Sequence, residues 1–172
     1  MIRKALKKDL DSVEKGYTDL LLYEQEHGSH SHWVLGAYPT RETAENAFEA
    51  GSLYVMEENG AICASMILNE RQLDNYKNIN WKYTAGDSKV KVVHTLCVPP
   101  AFARKGCGKQ MMEYAEKKAR EEGFQVLRID TCAENEPAKM LYAGLGYRCA
   151  GKQDALFMDK IPEEMIFLEK KL

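Results

Sequence analysis

The stretch Val98-Pro99-Pro100-Ala101-Phe102-Ala103-Arg104-Lys105-Gly106-Cys107-Gly108-Lys109 has the clearest chemical potential in the chain. A β-branched run leads into a glycine-containing turn, and the turn opens a helix, so several unpaired main-chain N–H groups should converge on one point. A phosphate suits that point. Gly106 and Gly108 lack a Cβ and let an anion reach the main chain, while Arg104, Lys105 and Lys109 add positive charge. Two other phosphate loops fail on these residues. A Walker A loop needs glycine where Ala103 stands and Ser or Thr where Gln110 stands, and a Rossmann fingerprint needs a third glycine where Met111 stands. The alternative is a helix N-terminus with two permissive glycines and a solvated basic cluster.

Other reactive types give weaker patterns. Cys97 and Cys107 flank the turn, yet small buried thiols are ordinary core residues and neither has a partner histidine in sequence. His27, His30 and His32 could suggest a metal, but no carboxylate or cysteine stands at a set spacing, and a polar loop explains them. Glu24 and Glu26 could bind a cationic amine, although solvated helix-face charges are the commoner outcome.

Strands and helices must position the turn. Ile2 to Leu6 reads as a short strand, and Asp9 can cap a helix whose apolar face is Leu10, Val13, Tyr17, Leu20 and Leu21, ending before Gly28. His27 to Pro39 reads as a loop. Thr40 caps a second helix with Ala44, Ala47 and Phe48 inside and Gly51 as its stop. Ser52 to Met56 and Ala61 to Leu68 form a hairpin through Asn59-Gly60. Asn69 to Ser88 gives no clear signal. Lys89 to Val98 is a strand ended by Pro99-Pro100, and a helix from about Gly106 to Gly123 carries Cys107, Met111, Ala115 and Ala119 on one face. Phe124 to Thr131 is a buried strand, Asn135 caps a short helix with Pro137 in its first turn, and Tyr147 to Ala150 and Met165 to Lys170 are the last strands. Alternating strands and helices argue for one mixed α/β layer structure.

Composition bounds the function. The chain has 172 residues, which at about 100 to 200 residues per domain predicts one domain over 1–172. With 45% of residues hydrophobic and 29% charged it can build a core and stay soluble, and a formal charge of −2 with no like-charge tail disfavours nucleic acid as a partner. No apolar stretch approaches membrane-spanning length, and Met1 to Leu10 carries four Lys or Arg residues with no apolar run behind them. Five cysteines without a C-x-x-C pair fit a reducing cytoplasm. Edge strands near the C-terminus suit a homodimer.

The run His94-Thr95-Leu96-Cys97-Val98, then Pro100, Gly106-Cys107-Gly108, Asn135-Glu136-Pro137-Ala138, Leu141-Tyr142 and Gly146-Tyr147 resembles the GCN5-related N-acetyltransferase (GNAT) family. Tyr38-Pro39-Thr40-Arg41-Glu42-Thr43-Ala44 also resembles a subgroup of that family without an assigned substrate. The family's loop starts with Arg or Gln where Ala103 stands, with Arg104 one place later, which affects a side-chain contact rather than the backbone cradle.

The resemblance implies a single-domain fold with a mixed, mostly antiparallel central sheet flanked by helices, in which parallel strands 4 and 5, here 89 to 98 and 124 to 131, splay apart. It implies acetyl-CoA as cofactor, with its diphosphate on the amides of Arg104, Lys105, Gly106, Cys107, Gly108 and Lys109. The pantetheine arm would pair with Leu96, Cys97 and Val98, and Cys97 or its neighbour would donate to the thioester carbonyl, a donor worth about 3 kcal/mol. Tyr142 matches the family's general acid, against the alternative of a core tyrosine. Asn135 is a cofactor contact in the same reading, though capping its own helix also explains it. His94 shares a strand face with Leu96 and Val98 and stands where some relatives carry a proton-relaying histidine or glutamate. Its ordinary pKa near 6.5 suits taking a proton from an ammonium, and a structural histidine is the alternative. The implied activity is direct acetyl transfer to a small-molecule or peptide amine. A catalytically silent acyl-CoA-binding or interaction module is the rival.

Overall fold

Asn59 and Gly60 take φ of 50° and 80°, the left-handed pair that a two-residue reversed turn requires. They join β2 (Leu53–Glu58) to β3 (Ala61–Asn69) in the predicted antiparallel hairpin, with Glu58 opposite Ala61 and a bulge between Met56 and Glu57. β1 (Ile2–Lys4) adds antiparallel to β2, Arg3 facing Val55. The computed structural model describes residues 1–157 and 161–172.

These residues divide into two compact units, 1–68 with 93–115 and 69–92 with 116–172. The first contains β1, β2, β3 and the C-terminal part of β4 (Val90–Cys97). It also contains α1 (Leu10–His27), α2 (Arg41–Glu49) and the start of α3 (Cys107–Glu121). Its core joins Val13 and Tyr17 of α1 and Ala44 and Ala47 of α2 to Leu53, Val55, Ile67 and Cys97. The amphipathic spacing predicted for both helices is what buries those faces. Thr40 caps α2 as predicted, its hydroxyl accepting from the Thr43 N–H. Asp9 stands at the N-cap of α1, yet its carboxylate turns away from the helix to accept from the Leu6 N–H at 2.7 Å and from Arg3 at 2.6 Å. That pairing holds the Asp9 carboxyl below the usual carboxylate range.

The second unit takes the N-terminal part of β4 and then β5 (Val126–Cys132), β7 (Ile161–Lys171) and β6 (Arg148–Phe157), with α4 (Glu136–Gly144). β7 pairs antiparallel with both neighbours, Ile129 facing Leu168 and Gln153 facing Met165. The strand order is β1-β2-β3-β4-β5-β7-β6, a mostly antiparallel seven-stranded sheet in which β4 and β5 are parallel. Tyr76, Val90, Val92, Val126 and Phe167 form the second unit's core under the 69–88 segment, which has no long element and only 3₁₀ turns at Asp74–Asn78 and Asp87–Lys89. β6 and β7 are longer than predicted. Gly151, Lys152, Gln153 and Asp154 have weak strand propensity, but the ladder to β7 satisfies their backbone groups and prevails. Among the described residues no helix is long and apolar enough to cross a membrane.

Tyr17, Tyr76, Tyr142 and Tyr147 have phenols pushed above their ordinary pKa, burial being the first cause in each. In the unfolded chain these phenols ionise near pH 10, so stability is intact below that pH and is lost above it, by ~1.4 kcal/mol per pH unit for each phenol. Urea midpoints should therefore fall steeply between pH 9 and pH 11. A flat profile there would contradict burial of the four hydroxyls.

Candidate active site

β4 leaves regular geometry at Thr95, whose φ of 49° places a β-branched residue in the left-handed region. The Tyr38 hydroxyl and Thr95 Oγ1 are hydrogen-bonded at 2.6 Å, and the Tyr38 ring meets Trp33 edge-on with centroids 5.9 Å apart. A left-handed residue within a strand bends the chain locally. Around it Val93, Thr95 and Cys97 are buried while His94, Leu96 and Val98 are half-buried, the alternation expected of a strand. Cys97 Sγ donates to the Gly16 carbonyl at 3.6 Å.

Gly16 was not legible as a site residue. A Cβ at this position in α1 would come within 3.0 Å of Pro99 Cγ, so the bare helix face lets α1 close on the connection leading from β4 to α3. Gly16→Val should destabilise the protein by about 1–3 kcal/mol through this overpacking. Chemical denaturation measures it, and a stabilised variant would deny the close approach.

Beyond Pro99 a 3₁₀ turn, Pro100–Phe102, is closed by Phe102 N–H to Pro99 O at 2.9 Å and Ala103 N–H to Pro100 O at 3.1 Å. Arg104 and Gly106 then take φ of 61° and 80°. The Gly106 carbonyl accepts from the Gln110 N–H at 3.0 Å, so the amides of residues 107–109 precede the first bond of α3 and have no partner within the helix. Left-handed residues beside a bare helix start form the concave amide surface that grips anions, and the positive φ of Gly106 makes any Cβ there a strain. A diphosphate fits these residues. Arg104 and Lys109 are exposed beside the turn, whereas Lys105 Nζ bends back to the Ala101 carbonyl at 2.9 Å and braces it.

His94, Leu96, Cys97, Val98 and residues 104–109 all lie in the first unit, and Tyr142 and Asn135 lie in the second. Asn135 Oδ1 accepts from the Ala138 N–H at 3.2 Å, capping α4. Tyr142 is buried on α4, its ring centroid 6.0 Å from that of Tyr147. Burial, and after it the Asp130 charge, keeps its phenol protonated well above neutrality. Asp130 accepts from the Tyr76 hydroxyl at 2.6 Å, a contact across 54 residues of sequence that reading the chain alone missed.

The thiols of Cys63 and Cys97 are poor nucleophiles. Burial pushes Cys63 up to about 11, with the neighbouring Cys107 thiol adding to the shift, and drives Cys97 higher still. Glu24 departs from the solvated charge that its helical position suggested. Its buried carboxylate accepts from Ser31 Oγ at 2.5 Å, the Ser31 N–H at 3.1 Å and Ser29 Oγ at 3.2 Å, and so fixes the histidine-bearing loop, while Glu26 is exposed.

A family model described as "Acetyltransferase (GNAT) family" matches residues 16–147. No curated protein matches the chain. Among solved structures, a GNAT-family acetyltransferase from Streptococcus agalactiae 2603 is similar at 18% identity and a TM-score of 0.78, covering 100% of this chain and 95% of that one. One from Listeria monocytogenes 4b F2365 has 22% identity and a TM-score of 0.77, with 100% and 94% covered. The yncA protein of Salmonella typhimurium, solved with its cofactor acetyl-CoA, has 19% identity and a TM-score of 0.72, with 100% and 93% covered. Likenesses at these identities establish the fold, and the family match spans most of the sequence. The chain therefore belongs to the GNAT family of acetyltransferases, enzymes that use acetyl-CoA.

Proposed function

We propose that the 172 residues act as one N-acetyltransferase domain that transfers an acetyl group to a primary amine by direct attack in a ternary complex. The observation that carries this reading is the turn from Arg104 to Lys109, with its left-handed Arg104 and Gly106 and the bare start of α3. When bound, acetyl-CoA supplies the acetyl group as an activated thioester.

The chain's own residues do the rest. Main-chain amides from Arg104 to Lys109 hold the diphosphate, and Arg104 and Lys109 add charge at its edge. Leu96, Cys97 and Val98, next to the left-handed Thr95, offer main-chain groups to the pantetheine arm. Asn135 gives α4 its start and contacts the cofactor. His94 takes the proton that the acceptor ammonium must lose, and Tyr142 holds at its hydroxyl the proton that the leaving thiolate needs. Raised thiol pKa values at Cys63 and Cys97 support direct transfer over an acyl-cysteine route. Five free thiols suit the cytoplasm.

Incubation with acetyl-CoA and a panel of amines, followed by free thiol release, tests the reading. Amine-dependent release supports it, and coenzyme A binding without release for any acceptor would leave a silent binding module. For His94, the pH profile of kcat/KM should lose its acidic limb in His94→Ala, and a limb that persists would remove the base assignment.

A further inference from the structure

The second unit contains a cavity of about 570 Å³, a size that takes small-molecule ligands. Its walls include Gln72, Tyr76, Trp81 and Arg128, with Glu70 and Asp87 also on the lining. Arg128 stands mid-strand in β5 and is only 5% exposed. Its guanidinium carbon lies 3.9 Å from the centroid of the Trp81 ring, which covers one face. In the plane, Nη1 donates to Gln72 Oε1, and Nε is buried with no hydrogen-bond partner.

Among the described residues Arg128 has no ion pair, because the nearby carboxylates are engaged elsewhere. Glu169 accepts from Arg148 Nη1 and from the N–H groups of Lys82 and Tyr83 at 2.9 and 3.2 Å. Glu70 pairs with Lys91 at 2.5 Å, and Asp87 accepts from Gln72 Nε2 at 2.9 Å. A guanidinium carries five N–H donors in a planar fork, and a buried one without an anion is costly. Gln72 meets one in-plane donor and Nε stays unmet, and a carboxylate is the group that matches guanidinium geometry.

We propose that this cavity receives the carboxylate of the acetyl acceptor on Arg128, so the enzyme's acceptors are amines that carry a carboxylate, free amino acids among them. This names the acceptor class and rests on the transferase reading above. Charge favours a carboxylate over a phosphate: Lys77 on the lining is paired with Asp74 at 2.7 Å, so Arg128 offers one positive charge to one negative charge, and the Glu70 and Asp87 carboxylates, bonded to Lys91 and Gln72, disfavour a dianion. Tyr76 is part of the cavity wall. Tyr76 bonds to Asp130, and the charge of Asp130 acts on Tyr142.

The test compares the twenty L-amino acids with matched decarboxylated amines, such as phenylalanine with phenethylamine and histidine with histamine, by thiol release from acetyl-CoA. At least one amino acid should exceed its amine by ~100-fold in kcat/KM, the discrimination expected when a buried charge is left unpaired. In Arg128→Lys and Arg128→Gln that preference should collapse through KM, without a change in coenzyme A affinity. Amines turned over as well as their amino acids, or O-phosphoethanolamine preferred to every amino acid, would overturn the proposal, and neither result needs a variant that folds. Coenzyme A binding with no turnover of any acceptor would count against the transferase reading alone. Calorimetric titration of the same amino acids then decides: binding lost in Arg128→Gln upholds the carboxylate site, and no binding to the wild type overturns it.

Discussion

Tyr142→Phe is expected to lower kcat by about 10²–10⁴-fold, the usual worth of a positioned general acid, while coenzyme A affinity stays unchanged. The substitution removes one oxygen and keeps the ring that packs 6.0 Å from Tyr147 on a helix whose cap and core contacts are untouched. Burial and Asp130 both disfavour the phenolate, so the hydroxyl retains its proton throughout the neutral range. Rapid-quench or steady-state assays with any accepted amine measure the loss. Wild-type turnover in the variant would reduce Tyr142 to a core residue.

Gly106→Val should raise the Kd for coenzyme A by about tenfold, because the free turn relaxes to escape the ~1–2 kcal/mol cost of an L-residue in the left-handed region and binding must restore the strained shape. Relaxation of the turn scatters the amides that face the diphosphate. Gly108→Val gives an independent check, since it adds a branched side chain at the second residue of α3, where the glycine leaves the main chain bare. Calorimetry on both variants, with denaturation curves to confirm folding, reads the effect. Unaltered coenzyme A affinity in both would deny the cradle.

Much of the scaffold was legible because local chemistry and tertiary packing agree. Asn59-Gly60 takes the positive φ values that its type allows. Cys107, Met111, Ala115 and Ala119 are all buried along α3, as their spacing requires. Thr40 and Asn135 cap the helices that they precede. Where the reading stopped, non-local contacts decide the structure. β6 runs to Phe157 because β7 pairs with it, not because Lys152 and Asp154 favour strands. The 69–88 segment has no periodicity to read, since its backbone turns are short and its order comes from Tyr76, Ile79 and Trp81 packing with Val90, Val126 and Phe167.

The candidate site divides the same way. The turn from Arg104 to Lys109 announces itself because glycine spacing and a helix start act locally. Arg128 and Asp130 read simply as strand residues, and their partners Gln72 and Tyr76 stand 56 and 54 residues away. Gly16 looks like a helix defect until Pro99 is brought against it. Charge placement inside a fold is a property of contacts that no window of sequence contains.

The central claim is that the main chain from Arg104 to Lys109 grips the diphosphate of coenzyme A, and a crystal structure of the protein with acetyl-CoA tests it most directly. The account predicts phosphate oxygens about 2.7–3.2 Å from main-chain nitrogens of residues 104–109. A nucleotide bound elsewhere, with that turn bonded only to water, would contradict it.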